Sequence, residues 1–259
     1  MKSLLNFSGI LRNPIIIFCM LCLLSIGCGS NKLAFEYKSY KKKTSLPCTD
    51  NCPYITIKIP VATNAPKVAD SINKKVYLEL KKIISFKNNS SASTDYNQLL
   101  TEFIESYEKI QKKYPKDTFG WESEIEGSVI HQSDELLNIK LKYYTYTGGA
   151  HGFRGFRSLL FDPATGKSIQ NNELFIDYKV FKNFAEKKFK QQFEIPENSN
   201  INSTGFLFDD DIFELPQNIF FTEKGLLLYY NTYEIDAYTN GPKELLIPYN
   251  EVDDYLILR

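Results

Sequence analysis

The residues best suited to chemistry are two histidines, His131 and His151, in a chain of 259 residues. They do not form a His-x-x-x-His pair, so a zinc site would need carboxylates that the sequence does not single out. No Gly-x-Ser-x-Gly elbow is present for Ser-His-Asp catalysis. Asp209–Asp211 lacks the glycine and distal glutamate of an EF-hand, which favours a solvated loop. The sequence therefore predicts no catalytic residue, metal site or cofactor.

The segment Gly148-Gly-Ala-His-Gly152 concentrates residues that give the backbone freedom. Its structural interpretation, which is favoured, is a bulge or wide turn where glycines reach positive φ. Its functional interpretation is an open floor beside His151, with walls formed by Tyr144, Tyr146 and Phe153.

A second group of polar aromatic residues lies near the C-terminus. Tyr229, Tyr230, Tyr233 and Tyr238 lie near Asn231 and Asn240, ahead of Gly241-Pro242. Some of these tyrosines must face outward, and exposed tyrosines beside amides suit sugars or proteins equally.

The N-terminal segment has the features of a bacterial export signal. Lys2 and Arg12 precede the apolar stretch 14–27, which is shorter than the roughly 20 residues that a membrane-spanning helix needs. Ser25-Ile-Gly-Cys28 resembles a lipobox, although Ser25 stands where that motif has leucine. We expect lipid on Cys28 to hold the protein on a membrane of the cell envelope, facing the periplasm or the exterior. Ordinary signal cleavage with a free Cys28 is the alternative.

The remaining cysteines form one pair. Cys19 and Cys22 leave with the predicted signal and Cys28 takes the lipid, which leaves Cys48 and Cys52 in an oxidising compartment. Their short loop lies between two prolines and can bring the α-carbons within the ~4.4–6.8 Å that a disulfide requires. We predict a disulfide, with two reduced thiols as the alternative; the spacing is not the Cys-x-x-Cys of redox proteins.

Charge and periodicity indicate the class of fold. The 31 basic residues balance the 31 acidic ones, so no nucleic-acid partner is expected. Period-two strands alternate with helical segments, and the strands after residue 122 read as an antiparallel meander. The prediction is an α+β fold in which about three amphipathic helices pack on one side of antiparallel sheets.

Particular residues mark where the elements begin and end. Pro66 opens a first helix, Thr94 or Asp95 caps a second, and Asp177 caps a third. The predicted organisation is a signal peptide at 1–27, a tether with the disulfide at 28–53, an N-terminal part at 54–122 and a C-terminal domain at 123–259. The segment 32–44 has room for one strand, and its basic run is interpreted as a solvated tether.

Six short motifs occur in a recognisable order. They are Tyr146-Thr-Gly-Gly-Ala-His-Gly152, Leu159-Leu-Phe-Asp-Pro-Ala-Thr-Gly-Lys167, Glu173-Leu-Phe175, Thr222-Glu-Lys-Gly-Leu226, Tyr230-Asn-Thr-Tyr-Glu-Ile235 and Ile247-Pro-Tyr249. Together they resemble the extracytoplasmic domain pair of RsiV-type anti-sigma factors and PdaC-type peptidoglycan deacetylases.

This resemblance implies an envelope module that binds rather than catalyses, because the deacetylase activity of the second relative belongs to a separate domain whose Asp and His ligands have no match here. The best understood relative recognises lysozyme. We therefore expect a noncatalytic lipoprotein that binds peptidoglycan-type glycan or a lysozyme-like protein. The alternative is a hydrolase or deacetylase with a site near His151.

In the family that the motifs resemble, the glycine-rich segment and the later tyrosines belong to one domain. We therefore expect them to form one surface, whose predicted binding residues are Tyr144, Tyr146, Gly148, Gly149, His151, Tyr233 and Tyr238.

The predicted lipid anchor is tested by Cys28→Ser. Without the acceptor thiol the protein should move from the membrane fraction to the soluble fraction, as followed by fractionation and immunoblotting. Retention of the variant on membranes after a detergent-free carbonate wash would refute the anchor.

Overall fold

A five-stranded sheet forms the first part of the structure, a computed structural model that describes residues 33–85, 93–115 and 119–258. The predicted signal peptide and Cys28 lie outside these residues. Within the described segments, no helix combines the length and apolarity needed to cross a bilayer. The strands, in spatial order, are β1 (Ala34–Lys43), β2 (Tyr54–Thr63), β3 (Glu122–Gln132), β4 (Leu137–Tyr146) and β5 (Phe153–Phe161).

All neighbouring strands of this sheet are antiparallel except β2 and β3, which pair in parallel. The predicted meander is confirmed for β3 to β5. Two helices, α1 (Pro66–Ile84) and α2 (Tyr96–Lys113), connect β2 to β3. Such a crossover is what parallel neighbours require, because a hairpin reverses the chain direction.

The two helices cover one face of the sheet. Buried residues of α1 recur every three or four positions, and the second helix is capped by Asp95, whose side chain accepts a hydrogen bond from the Gln98 amide at 3.0 Å. Ile55, Ile57 and Ile59 of β2 are buried beneath the helices. The opposite face, here called the open face, carries polar and aromatic side chains.

The basic run Lys41–Lys43 belongs to a strand, which corrects its interpretation as a tether. It ends β1, whose ten residues all pair with β2. The Lys42 ammonium donates to the Thr101 hydroxyl of α2 at 2.9 Å. Lysines along an edge strand also oppose pairing with another chain.

A smaller antiparallel sheet forms the second part. Its strands are β6 (Asn218–Phe221), β7 (Gly225–Tyr230) and β8 (Lys243–Pro248), and two further helices are α3 (Tyr178–Gln192) and α4 (Tyr249–Val252). Asp177 caps α3 as predicted, accepting from the Val180 amide at 3.0 Å. Phe189 of α3 lies at the centre of an aromatic core, with five ring centroids between 4.4 and 5.7 Å away.

The predicted α+β class is confirmed. Each sheet has its own apolar core, and both cores belong to the compact unit that begins at Leu33. The first core extends from Leu33 to Phe161, across the position between residues 122 and 123 where the domain boundary is predicted.

Asparagine side chains join the two sheets. Asn218 and Asn231 accept hydrogen bonds from the backbone amides of Ser158 and Phe156 in β5, at 3.0 and 2.8 Å. Asn138 of β4 is fully buried; it donates to the Ser158 hydroxyl at 2.9 Å and accepts from the Phe221 amide at 3.0 Å. Asn218 and Asn231 thus supply acceptors to backbone amides at the outer edge of β5, which a sixth strand would otherwise do. We call this arrangement the asparagine junction.

Replacing Asn138 by leucine tests the junction. The buried Phe221 amide would lose its acceptor, which should lower the free energy of unfolding by about 2–3 kcal/mol. Urea denaturation measures the change, and Asn183→Leu on the exposed side of α3 is the matched control. A loss below about 0.5 kcal/mol at Asn138, the size of an ordinary surface effect, would contradict a structural role.

Cys48 and Cys52 form a disulfide, with their α-carbons 5.6 Å apart. The bond closes the connection between β1 and β2. The loop lies against Gly120, where a β-carbon would come within 1.6 Å of the Asn51 carbonyl oxygen. The loop therefore depends on a residue without a side chain at this position.

Replacing both cysteines by serine should lower the free energy of unfolding by about 2 kcal/mol, because so short a loop constrains the unfolded chain only slightly. Unfolding should remain cooperative, and wild-type protein measured with reductant should match the double variant. Alkylation of either cysteine in unreduced mature protein, followed by mass spectrometry, would show that the bond does not form.

Candidate binding site

The glycine-rich segment is the turn between β4 and β5. Gly148 and Gly149 have φ of 99° and 95°, and a β-carbon at either position would have no atom within 4 Å. The Tyr146 hydroxyl donates to the Gly149 carbonyl at 3.1 Å. Both glycines thus serve the turn conformation and leave its surface open.

Gly152 has a different role. A β-carbon there would lie 2.5 Å from the ring of Tyr144. The absence of a side chain therefore lets this ring pack over the hairpin backbone.

Four aromatic residues meet at the tip of this hairpin: His151, Phe153, Tyr233 and Tyr238, here called the aromatic cluster. The rings of His151 and Tyr238 stack with centroids 3.9 Å apart. Tyr233 lies 5.3 Å from Tyr238 and 6.3 Å from Phe153. The structure thus brings together the two segments that the sequence predicts to share a surface.

The turn that carries Tyr233 is held by the partly buried carboxylate of Glu234. Tyr233 has φ of 70°, a left-handed conformation that non-glycine residues rarely adopt. The Glu234 carboxylate accepts from the amides of Asn231 and Gln217, both at 2.8 Å. Burial raises the pKa of Glu234, although the two amide donors oppose this shift. These bonds fix a turn that presents Tyr233 to solvent.

Asp236 fixes the next turn, which carries Tyr238. Its carboxylate accepts from the Asn240 side chain and contacts the Lys243 ammonium, both at 2.8 Å. Burial alone would raise the pKa of Asp236, but these partners outweigh it and the pKa is lowered. The carboxylate therefore remains charged and keeps Tyr238 beside His151.

A groove of about 570 Å³ adjoins the aromatic cluster, and His151 belongs to both. It lies where the open face reaches the disulfide loop. The residues that line it are Lys43, Asn51, Cys52, Tyr54, Phe119, Gly120, Trp121, Glu122, Tyr144, Tyr146, Ala150, His151 and Gly152. Of the predicted binding residues, Tyr144, Tyr146 and His151 line this groove, Tyr233 and Tyr238 lie in the cluster, and Gly148 and Gly149 lie in the turn.

Tyrosine hydroxyls and carboxylates interact within the groove. The Tyr54 hydroxyl donates to Glu124 at 2.7 Å and to Glu122 at 3.3 Å. The hydrogen bond to Glu124, together with burial and the charge of both glutamates, raises the pKa of Tyr54. Burial and Glu122 also raise the pKa of Tyr144. Both tyrosines therefore stay protonated and keep their donors at neutral pH.

The two histidines lie in different surroundings. His131 is near the end of β3, with its ring 5.6 Å from that of Phe221. The Nδ1 atom of His151 lies 3.3 Å from the Gly152 carbonyl oxygen. Across residues 33–85, 93–115 and 119–258, no three His, Cys, Asp or Glu side chains form a group that could hold a metal ion.

Sequence reasoning missed Tyr54, Glu122 and Lys43, which reach the groove from three strands. The sequence does contain a sign of Glu122 in this place. Glu122, Glu124 and Glu126 alternate along one strand, which puts three carboxylates on the same face of the sheet. Only the parallel pairing of β2 with β3 sets Tyr54 beside them.

Comparisons with known proteins agree with this architecture. Residues 47–154 match the family described as deacetylase PdaC, and residues 172–250 match a family of proteins of unknown function, DUF3298. None of the curated protein sequences compared with the chain matches it.

Two crystal structures of DUF3298 family proteins share the fold. The one from Bacteroides fragilis NCTC 9343 is 21% identical, with a TM-score of 0.64 over 87% of this chain and 95% of that one. The one from Pseudomonas aeruginosa PAO1 is 22% identical, with a TM-score of 0.61 over 86% of this chain and 94% of that one. The two family matches follow one another along the chain as a PdaC-type domain and a DUF3298 domain, the pair that its motifs resemble.

Proposed function

We propose that the protein binds a peptidoglycan-type glycan without catalysing a reaction on it. The observation that carries this proposal is the continuity of the groove with the aromatic cluster through the ring of His151. Together they form an open surface that combines polar side chains with aromatic rings. We further propose that lipid on Cys28 holds this surface in the cell envelope, where such a glycan occurs.

The side chains suit a sugar polymer. Aromatic rings offer flat apolar faces for the C–H groups of a pyranose, while hydroxyls, carboxylates and amides pair with sugar hydroxyls. Tyr233 and Phe153 are 54% and 60% exposed, so their faces are available without rearrangement. The groove is open rather than enclosed, which lets an internal segment of a polymer bind.

Binding without catalysis is favoured by how the site is held. The turns that carry Tyr233 and Tyr238 are restrained by hydrogen bonds to the partly buried carboxylates of Glu234 and Asp236, which favours a preformed surface. His151 is stacked on Tyr238, and its Nδ1 faces a backbone carbonyl. A triad would instead need a carboxylate to orient the imidazole.

Alanine substitutions of Tyr146, His151 and Tyr233 test the proposal. Each should reduce the affinity for soluble glycan chains from peptidoglycan by about 5- to 30-fold, corresponding to about 1–2 kcal/mol for a truncated interface anchor. The melting temperature should stay nearly unchanged because these side chains are exposed or half-buried. Calorimetric titration measures the affinity, and co-sedimentation with insoluble peptidoglycan provides a second assay.

Tyr37→Ala is the matched control, because Tyr37 is 55% exposed but lies six positions along β1 from Lys43 of the groove. Binding to lysozyme instead of glycan would replace the proposed ligand with a protein. Turnover of acetylated glycan that disappears in His151→Ala would show an enzyme. If the alanine variants lowered the melting temperature strongly without loss of affinity, the glycine-rich hairpin would serve only the stability of the fold.

A further inference from the structure

The open face of the first sheet is organised in rows of cross-strand partners. Next to the groove, Lys41, Thr56, Glu124, Tyr144 and Arg154 are successive partners across β1 to β5. Because side chains of directly opposed residues share a face, each row is a line of neighbours across the sheet.

The neighbouring rows repeat this arrangement. One contains Lys43, Tyr54, Glu122 and Tyr146, and the other contains Lys58, Glu126 and Lys142. Cations therefore flank a central stripe of carboxylates on β3.

The carboxylates of this stripe are already engaged. Glu122 and Glu124 accept hydrogen bonds from Tyr54, and Glu126 lies 3.7 Å from the Lys58 ammonium. Their charge is thus partly compensated by groups of the same face.

Other cations of the open face differ from Lys58 in that they have no ion pair among the described residues. In the part of the chain that the structure describes, Lys41, Lys43, Lys142 and Arg154 have no carboxylate within 4 Å. Arg154 instead lies over the ring of Tyr144, 5.5 Å from its centroid. The charge that this face offers to a ligand is therefore positive.

We propose that the open face selects glycans that carry carboxylates, with Lys142 and Arg154 as specificity-determining residues. This inference rests on the proposed glycan binding and names the chemistry that the ligand must bring. The contact extends beyond the groove into a second depression of about 330 Å³, which Lys58 and Lys142 line together with Glu124 and Glu126, and Tyr144 lines both depressions. Glu126 is paired with Lys58 and Glu124 accepts from Tyr54, which leaves Lys142 as the cation of this depression that has no carboxylate partner among the described residues. A polymer with carboxylates at intervals can therefore occupy both.

The experiment compares one polymer in two forms: soluble glycan–peptide chains from peptidoglycan, and the same chains with their carboxylates converted to neutral amides. The full-length protein should bind the neutral form at least about fivefold more weakly. Lys142→Gln and Arg154→Gln should each weaken binding of the anionic form by about two- to fivefold, as expected for exposed ion pairs. Neither should change binding of the neutral form. Added salt should weaken only the binding of the anionic form.

Lys187→Gln is the matched control, since Lys187 is exposed on α3 and has no ion pair among the described residues. Equal affinity for the two polymers, with neutral effects at Lys142 and Arg154, would overturn the inference and leave glycan binding intact. Absence of binding to both polymers would overturn the proposed function, and the inference with it. If Lys187→Gln weakened binding as much as Lys142→Gln does, the effect would come from the net charge of the protein. That result would overturn the specificity role assigned to Lys142 and Arg154.

Discussion

The unpaired edge of β5 is the constraint on which the arrangement of the two sheets depends. Backbone amides at an edge must find partners when they are buried, because an unsatisfied donor costs about 1–3 kcal/mol. Here Asn218 and Asn231 supply the acceptors, and buried Asn138 ties Phe221 of the second sheet to the first. Side chains can do this without continuing the ladder, so the sheets keep separate cores while their relative position is fixed.

The same junction positions half of the candidate site. Asn231 accepts from Phe156 through its side chain, and its own amide donates to Glu234 in the turn that presents Tyr233. One residue therefore connects the edge of the first sheet to the aromatic cluster. Gly155 makes the approach possible, because a β-carbon there would lie 2.6 Å from the Asn231 side-chain oxygen. The tyrosines of the cluster follow the second sheet, and this short, partly buried polar contact brings them to the groove of the first.

Local chemistry made much of the fold predictable, since a cap or a turn is decided by a few neighbouring residues. Asp177 caps a helix as predicted, and of the two candidate caps Thr94 and Asp95 it is Asp95 that accepts the hydrogen bond. The parallel pairing of β2 with β3 was not predictable, because it depends on how two helices return the chain. A strand within 32–44 was allowed for, but its basic run was misassigned for a related reason, since these lysines resemble a solvated segment until β2 is in place. The groove follows from both pairings, so Tyr54 and Lys43 could not be assigned to it from the sequence.

Two features of the site are energetically unfavourable by themselves: the backbone conformation of Tyr233 and the partial burial of the Glu234 carboxylate. A non-glycine residue with positive φ, such as Tyr233, costs on the order of 1 kcal/mol or more and persists only when its surroundings hold it. Glu234 supplies this restraint at a further cost, because burial disfavours its charged form and raises its pKa. Neither cost improves the core, since Tyr233 is largely exposed. What both provide is an aromatic face held in place, which under the proposed function lowers the ordering entropy lost when a ligand binds.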